Sequence, residues 1–122
     1  MNKKTVLVVD DNELNLKLMQ GILKVANCHM ERAKNAQTGI EMAKQLLPDL
    51  IIMDIQLPDM DGIEAVRRIK KEPKLSLTPV IAVTGYGVDE KQTDAMAAGC
   101  SVIVPKPITV HSFISQINEL LP

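Results

Sequence analysis

Short apolar runs that alternate with helical patterns constrain the fold of this chain more than any other feature. The clearest run is residues 50–53, where four apolar residues in a row end at Asp54. A continuous run of this length is typical of a strand buried on both faces of a parallel sheet. Further strands are predicted at residues 5–9, 28–33, 80–83 and 102–104.

A segment with helical spacing follows each predicted strand. The first helix would be capped by Asp11 or Asn12, and the second would start at Asn35 and stop at Pro48. The apolar residues of the first helix form a stripe of Leu14, Leu18, Ile22 and Val25, with Leu16, Met19 and Leu23 alongside it. Those of the second helix that would face inward are Ile40, Ala43 and Leu47.

The later helices are marked by their ends as well as by their spacing. A third helix is predicted to start near Asp61. Asp89 and Gln92 form a loose capping box for a fourth helix, which Gly99 closes. Thr109 would cap the last helix. The apolar residues that mark the third and last helices are Ile63, Val66 and Ile69, and Val110, Phe113, Ile117, Leu120 and Leu121.

Five strand-then-helix units in unbroken order predict one α/β domain over residues 1–122. Such alternation implies a parallel five-stranded sheet with helices on both faces and right-handed crossovers. We expect the (βα)5 doubly wound order 2-1-3-4-5 of flavodoxin-like folds, in which the first and third strands flank the crevice where ligands bind. Cys28 and Cys100, next to the second and fifth strands, would lie towards opposite edges and could not form a disulfide.

Composition excludes several classes of function. Phe113 and Tyr86 are the only aromatic residues among 122, so platforms for stacking nucleic-acid bases are not expected. Fourteen basic and fifteen acidic residues give a net charge of -1 without a basic stripe, which argues against direct nucleic-acid binding. No apolar run approaches the ~20 residues that span a bilayer, and the start of the chain does not resemble a signal peptide. We therefore expect a cytoplasmic protein without membrane association.

Acidic residues end the two strands that flank the expected crevice. Asp10 and Asp11 follow the first strand, and Asp54 ends the third. Carboxylates that converge there repel one another by about 4 kcal/mol per close pair at an effective dielectric near 20, so a cation must offset them. Oxygen ligands without His or Cys favour a hard ion such as Mg²⁺. Lys106 after the fifth strand and Thr84 at the end of the fourth would supply a second positive charge and a hydroxyl, which completes the parts for phosphoryl transfer.

These residues resemble the receiver domain of two-component response regulators. Each motif alone is common, but four in this order and on these strands are highly specific, and they cover the whole chain. The run at residues 10–15 is similar both to stand-alone receivers and to receivers of hybrid kinases. The motifs are Asp10-Asp11, Met53-Asp54 followed by Gln56-Leu57-Pro58 and Asp61-Gly62, then Thr84-Gly85, then Lys106-Pro107.

The resemblance implies a phosphoacceptor and a metal site. Asp54 would attack the phosphohistidine of a sensor histidine kinase or a histidine phosphotransfer protein as a carboxylate nucleophile. Asp11 and Asp54 would bind Mg²⁺ directly and Asp10 through water. The backbone carbonyl of Gln56 would complete the protein ligands.

The resemblance also implies a switch. Lys106 would pair with the phosphate, and its peptide bond to Pro107 is expected to be cis. Thr84 would hydrogen-bond the phosphoryl group and pull its loop inward, which would alter the surface formed by the fourth helix, fifth strand and fifth helix. This surface would bind a downstream protein. The fourth helix is only weakly apolar, so it gains little stability from packing, and weakly stabilised elements are the ones that move. We therefore expect the solvent exposure of residues 89–99 to change on phosphorylation.

One position departs from the family pattern. Receiver domains commonly have an aromatic residue three positions before the lysine, and this position is Ile103. The usual inward turn of that ring must therefore be replaced or weakened here. Tyr86 is a substitute by hypothesis, and the alternative is an exposed loop tyrosine without a switching role.

Three other functions compete with this interpretation. A Mg²⁺-dependent aspartyl-phosphate hydrolase needs a second Asp two residues after its nucleophile on the first strand, where Asn12 follows Asp10 and Asp11. A flavin binder needs a glycine- and hydroxyl-rich phosphate loop at that place. A phosphorylation-independent interaction module would normally have lost part of the acidic constellation.

We therefore expect a phosphoacceptor domain that is not an enzyme, with self-directed phosphotransfer and autodephosphorylation alone. No output domain is expected, and the sequence leaves open a stand-alone protein or a segment of a larger regulator.

Overall fold

The computed structural model describes residues 3–85 and 87–121. The strands are β1 (Lys4–Val9), β2 (Cys28–Ala33), β3 (Leu50–Asp54), β4 (Val80–Thr84) and β5 (Val102–Pro105). The helices are α1 (Glu13–Val25), α2 (Ala36–Leu46), α3 (Gly62–Lys70), α4 (Val88–Ala98) and α5 (Val110–Leu120), with a 3₁₀ turn at Pro73–Leu75. The strands form one parallel sheet in the order β2-β1-β3-β4-β5, as predicted.

The sheet separates two apolar cores, because successive side chains of a strand point to opposite faces. On β3, Ile51 and Met53 pack with α2, α3 and α4, whereas Leu50 and Ile52 pack with α1 and α5. Aliphatic side chains fill most of both cores, and Phe113 of α5 is fully buried in the second one. The helices on both faces hold the sheet so that its carboxyl edge is presented at one end of the domain.

Most of the predicted helix ends are confirmed. The side chains of Asn12, Asn35 and Asp61 cap α1, α2 and α3 by accepting backbone N–H groups. Gly99 ends α4 with a φ of 112°, a left-handed conformation in which glycine has no Cβ to clash. Thr109 occupies the N-cap position of α5 as predicted, but its side chain accepts no N–H of the first turn, so only the position is confirmed.

The capping box predicted for α4 is wrong. Gly87 occupies the N-cap position, so Asp89 lies within the first turn and does not precede it. An acid in the first turn still interacts favourably with the positive end of the helix dipole, which explains why an acidic residue near this end misled the prediction.

Leu47, predicted to face inward, ends α2 in a left-handed conformation and is 43% exposed. Val110, at the start of α5, is also largely exposed.

The structure decides which of the two apolar stripes of α1 faces the sheet, a choice that the sequence left open. Leu14 and Val25 are 75% and 72% exposed, and Leu18 is 41% exposed. The helix has more apolar residues than one face can bury, so periodicity alone does not decide which stripe meets the sheet. The residues that α1 buries are Leu16, Met19, Ile22 and Leu23.

Both cysteines are buried as thiols near opposite edges of the sheet. Burial raises the pKa of the Cys100 thiol to about 11, so it stays protonated at neutral pH.

Within residues 3–85 and 87–121, no helix has the length and apolar content needed to cross a membrane.

Two substitutions in α1 test its orientation. We expect Leu16→Ala to lower the free energy of unfolding by about 2–5 kcal/mol, because a fully buried side chain leaves a cavity. Leu14→Ala should change it by less than about 0.5 kcal/mol, because that side chain is mostly in water. Urea denaturation of both variants measures the difference, and equal losses of stability would contradict this orientation.

Candidate functional site at the carboxyl edge of the sheet

Adjacent strands bring three carboxylates together at the carboxyl edge of the sheet. Val9 of β1 pairs with Met53 of β3, so the residues that follow them, Asp10 and Asp54, lie side by side. Oxygen atoms of Asp10, Asp11 and Asp54 all lie within 4.8 Å of one another. Asp10 and Asp54 are buried, whereas Asp11 is exposed, so the cluster opens to solvent on one side.

Lys106, which follows β5, supplies a positive charge to this cluster. Its Nζ lies 2.8 Å from Oδ2 of Asp54, whose side chain is 3% exposed. The backbone N–H of Lys106 donates to the carbonyl of Thr84 at 2.8 Å, which continues the pairing of β4 with β5 beyond Pro105. The peptide bond between Lys106 and Pro107 is cis. A charge-assisted contact at this distance holds the lysine against the buried carboxylate.

The electrostatics of Asp10 reflect the crowding of acids. Burial raises the pKa of the Asp10 carboxyl above its ordinary value, and the neighbouring Asp54 carboxylate raises it further. The N–H of Asn12, which donates to Oδ1 of Asp10 at 2.9 Å, opposes this shift. Asp10 therefore favours a nearby positive charge more than an exposed acid would.

The loop between β3 and α3 is bound tightly to the cluster. The N–H of Gln56 donates to Oδ1 of Asp54 at 2.9 Å, and its side-chain Oε1 accepts the N–H of Gly85 at 3.1 Å. Gly62 lies so close to the end of β3 that an added Cβ would be 2.2 Å from the carbonyl oxygen of Asp54. Only glycine fits at this place without moving the backbone that carries Asp54.

Three contacts in these loops were missed by the sequence analysis. They are the bond from Gly85 to the Gln56 side chain and two bonds to the Asp59 carboxylate from the first turn of α2. The residues joined are 29, 23 and 22 positions apart, and no local pattern predicts such pairs. The signal that could have drawn attention to Asp59 is a second acid just before the capping Asp61.

The remaining predicted switch residues surround the same edge. Thr84 is fully buried at the end of β4. Ile103 is 7% exposed and packs in the core between the sheet and α2, α3 and α4. Tyr86, the proposed substitute for the missing aromatic ring, lies outside the described residues, so its role stays a hypothesis.

The donor set of the cluster fits a hard cation. Three carboxylates converge, two of them buried, and oxygen ligands of this kind suit Mg²⁺. Among the residues that the structure describes, this is the one group of three or more such side chains close enough to hold an ion. Lys106 contacts Asp54 at the same edge, so an anionic group at Asp54 would meet positive charge, and the buried Thr84 ends the neighbouring strand β4.

Replacing Asp10 tests the crowding of acids. Because the folded-state pKa of Asp10 is raised, the folded chain holds a proton at pH values where the unfolded chain has lost it, so ionisation of Asp10 destabilises the fold as pH rises. In metal-free buffer we expect Asp10→Asn to increase stability at pH 7, and the gain should vanish below the usual carboxyl pKa. Urea midpoints at both pH values measure this. A less stable variant at pH 7 would show that the attraction of the Asp10 charge to Lys106 and to the N–H of Asn12 outweighs the cost of its burial.

Sequence comparison identifies relatives along almost the full chain. A family model described as the response regulator receiver domain matches residues 6–118. The polar-differentiation response regulator DivK of Brucella anthropi is 36% identical over 118 residues, which cover 97% of this chain and 96% of that protein.

Solved structures share the fold. A CheY-like receiver domain protein from Methanospirillum hungatei superposes with a TM-score of 0.89 at 29% identity, covering 97% of this chain and 93% of that one. The receiver domain of sensor histidine kinase PA1611 from Pseudomonas aeruginosa, described with a magnesium ion coordinated in its active site cleft, has a TM-score of 0.89 at 22% identity and covers 98% of both chains. Because the family model spans nearly the whole chain and DivK matches it throughout, this chain belongs to the response regulator receiver domain family of two-component signalling.

Proposed function

We propose that this receiver accepts a phosphoryl group on Asp54 from a phosphohistidine of a sensor histidine kinase or a histidine phosphotransfer protein. The observation that carries the proposal is the contact of Lys106 Nζ with Oδ2 of Asp54 beside two further carboxylates. A buried carboxylate with a lysine at 2.8 Å and an acidic ion site next to it suits an acceptor whose product is more negative than the acid itself.

The proposed reaction is an in-line displacement at phosphorus. A carboxylate oxygen of Asp54 attacks, the bond from phosphorus to the imidazole nitrogen breaks, and the imidazole leaves with its electron pair. Lys106 pairs with the transferred phosphoryl oxygens, and the Thr84 hydroxyl donates a hydrogen bond to one of them. Attack of water on the resulting acyl phosphate would break the bond from phosphorus to the Asp54 oxygen, release inorganic phosphate and return the carboxylate, so after the transfer the domain would act only on its own phosphoryl group.

Mg²⁺ is the ion that we propose for the acidic cluster. Asp11, Asp54 and the backbone carbonyl of Gln56 would be direct ligands, and Asp10 would bind through water. When bound, the ion would neutralise charge on the phosphoryl oxygens during transfer. The magnesium ion described for the PA1611 receiver domain supports this choice.

The surface formed by α4, β5 and α5 is proposed to change when Asp54 is phosphorylated. In α4, the buried residues are Ala95 and Ala98, so this helix buries little apolar area against the sheet. An inward movement of Thr84 would act on the loop that leads directly into α4. Binding of a downstream protein to this surface and a cytoplasmic location stay predictions.

Phosphorylation of Asp54 can be tested directly. Incubation with acetyl phosphate and Mg²⁺ should add one phosphoryl group to the wild-type chain, and Asp54→Asn should add none, as measured by intact-protein mass spectrometry. Lys106→Ala should still bind Mg²⁺ but accept phosphate at least about tenfold more slowly, because it loses one charged contact in the transition state. Addition of phosphate to Asp54→Asn at the wild-type level would exclude Asp54 as acceptor.

The exposed stripe of α1 supports a helical phosphodonor. Leu14, Leu18 and Val25 are apolar yet exposed, and Leu18 lines a cavity of about 390 Å³ together with Lys106 and Pro107. Apolar residues at this spacing can receive the face of a partner helix, and here the stripe leads to the acceptor. We therefore propose that the histidine-bearing partner docks along α1.

Leu18→Ser tests this docking surface. Phosphotransfer from a phosphorylated histidine protein should slow by about tenfold, because apolar area at the centre of an interface is lost. The rate with acetyl phosphate, which needs no docking, should be unchanged. Leu77→Ser is the matched control, since Leu77 is 94% exposed and lies in another loop. Equal effects with both donors would contradict a docking role.

A further inference from the structure

Asp59 joins the loop after the phosphoacceptor to a helix that precedes it in the chain. Its Oδ1 accepts the N–H of Ala36 at 2.8 Å, and its Oδ2 accepts the N–H of Gln37 at 2.9 Å. These are the first two amides of α2, which have no partner within their own helix. A single carboxylate therefore bridges two segments of the chain with both of its oxygens.

The cap of α2 is complete only with this contribution from a distant residue. The side chain of Asn35 accepts the N–H of Thr38 at 2.8 Å, and its backbone carbonyl accepts the N–H of Gly39 at 3.1 Å. Asn35 thus satisfies the local part of the cap, and Asp59 satisfies the remaining two amides. The hydrogen bonds from Ala36 and Gln37 lower the pKa of the Asp59 carboxyl, so it is ionised and favourable beside the positive end of the helix dipole at neutral pH.

The loop that holds Asp59 also contains Gln56, the proposed source of a backbone ligand. The inner end of this loop is bound near the sheet, where Gly62 donates to the carbonyl of Ile55 at 2.8 Å and Gln56 forms a bridge with Asp61. Asp59 lies at the outer end of the loop and attaches it to α2. Side chains beyond the direct ligands orient those ligands, and their loss weakens metal affinity.

We propose that Asp59 is a positioning residue for the metal site, acting by fixing the loop that places the carbonyl of Gln56. This inference rests on the function proposed above, because it assumes that Mg²⁺ binds the acidic cluster. Asp59 itself need not touch the ion or the phosphoryl group. α2 then serves as the rigid support against which the loop is held.

Calorimetric titration with MgCl₂ compares the wild-type chain of 122 residues with Asp59→Ala, Asp59→Asn and Asn35→Ala. We expect Asp59→Ala to raise the Kd for Mg²⁺ roughly threefold to tenfold. This is less than the loss of affinity usual for a residue that hydrogen-bonds a metal ligand directly, because Asp59 acts on Gln56 only through the loop. Asp59→Asn keeps one acceptor oxygen and should fall between Asp59→Ala and the wild type. Asn35→Ala is the matched control, because it removes a cap bond from the same end of α2 and leaves the loop attached.

A second readout separates positioning from general destabilisation. The rate of phosphorylation by acetyl phosphate should need more Mg²⁺ to reach half of its maximum in Asp59→Ala, while the maximum itself stays near the wild-type value. An Asn35→Ala variant that loses stability to urea but keeps the wild-type Kd would support the proposal. Where Asp59→Ala fails to fold, the comparison is made with Asp59→Asn.

Two results would overturn the role of Asp59. One is a wild-type Kd in both Asp59 variants, and the other is the same weakening in Asn35→Ala, which would assign the effect to α2 alone. These results are distinct from failure of the proposed function. A wild-type chain that binds no Mg²⁺ and takes up no phosphate overturns both proposals, whereas a phosphorylated wild type with unchanged Asp59 variants overturns only this one.

Discussion

Repulsion among acids at one edge of the sheet is the physical constraint on which this structure depends. The strand order places β1 beside β3, and both strands end in carboxylates. Asp10 and Asp54 are both withdrawn from water there, and burial raises the pKa of the Asp10 carboxyl. Lys106 offsets part of that cost by direct contact with Asp54. Electrostatic repulsion among the carboxylates therefore remains at the site, and a further cation would reduce it.

Such an arrangement needs a rigid frame, and the frame is built mostly from contacts outside the cluster. Gly62 lets the start of α3 approach the backbone of Asp54, and Gln56 connects this segment to the loop after β4. Asp59 adds the connection to α2. The acids are thus held by the strands, while the loops that surround them are held by one another. A perturbation at Asp54 can reach the loop after Thr84 through Gln56.

Much of this fold and the position of the cluster could be predicted from the sequence. The strands are apolar runs with clear ends, and parallel pairing brings those ends to one edge, so the sequence alone predicts that Asp10, Asp54 and Lys106 converge. The orientation of α1 could not be predicted, because Leu14 and Leu16 belong to neighbouring stripes that are equally apolar. The choice between these stripes is made by the partners in the core, which lie far away in the chain. The bonds of Gln56 and Asp59 were missed for the same reason.

The two cores described above have a consequence for how proteins of this kind can diversify. In the described part of the chain, the buried apolar side chains form two clusters on opposite faces of the sheet, so the exposed face of α1 and the weakly packed α4 rest on separate sets of neighbours. After gene duplication, a copy can acquire substitutions on one side of the sheet without disturbing the opposite side. Because α5 shares its core with α1, it is tied to that layer, whereas the exposed faces of α1 and α4 can diverge independently while the acidic edge stays the same.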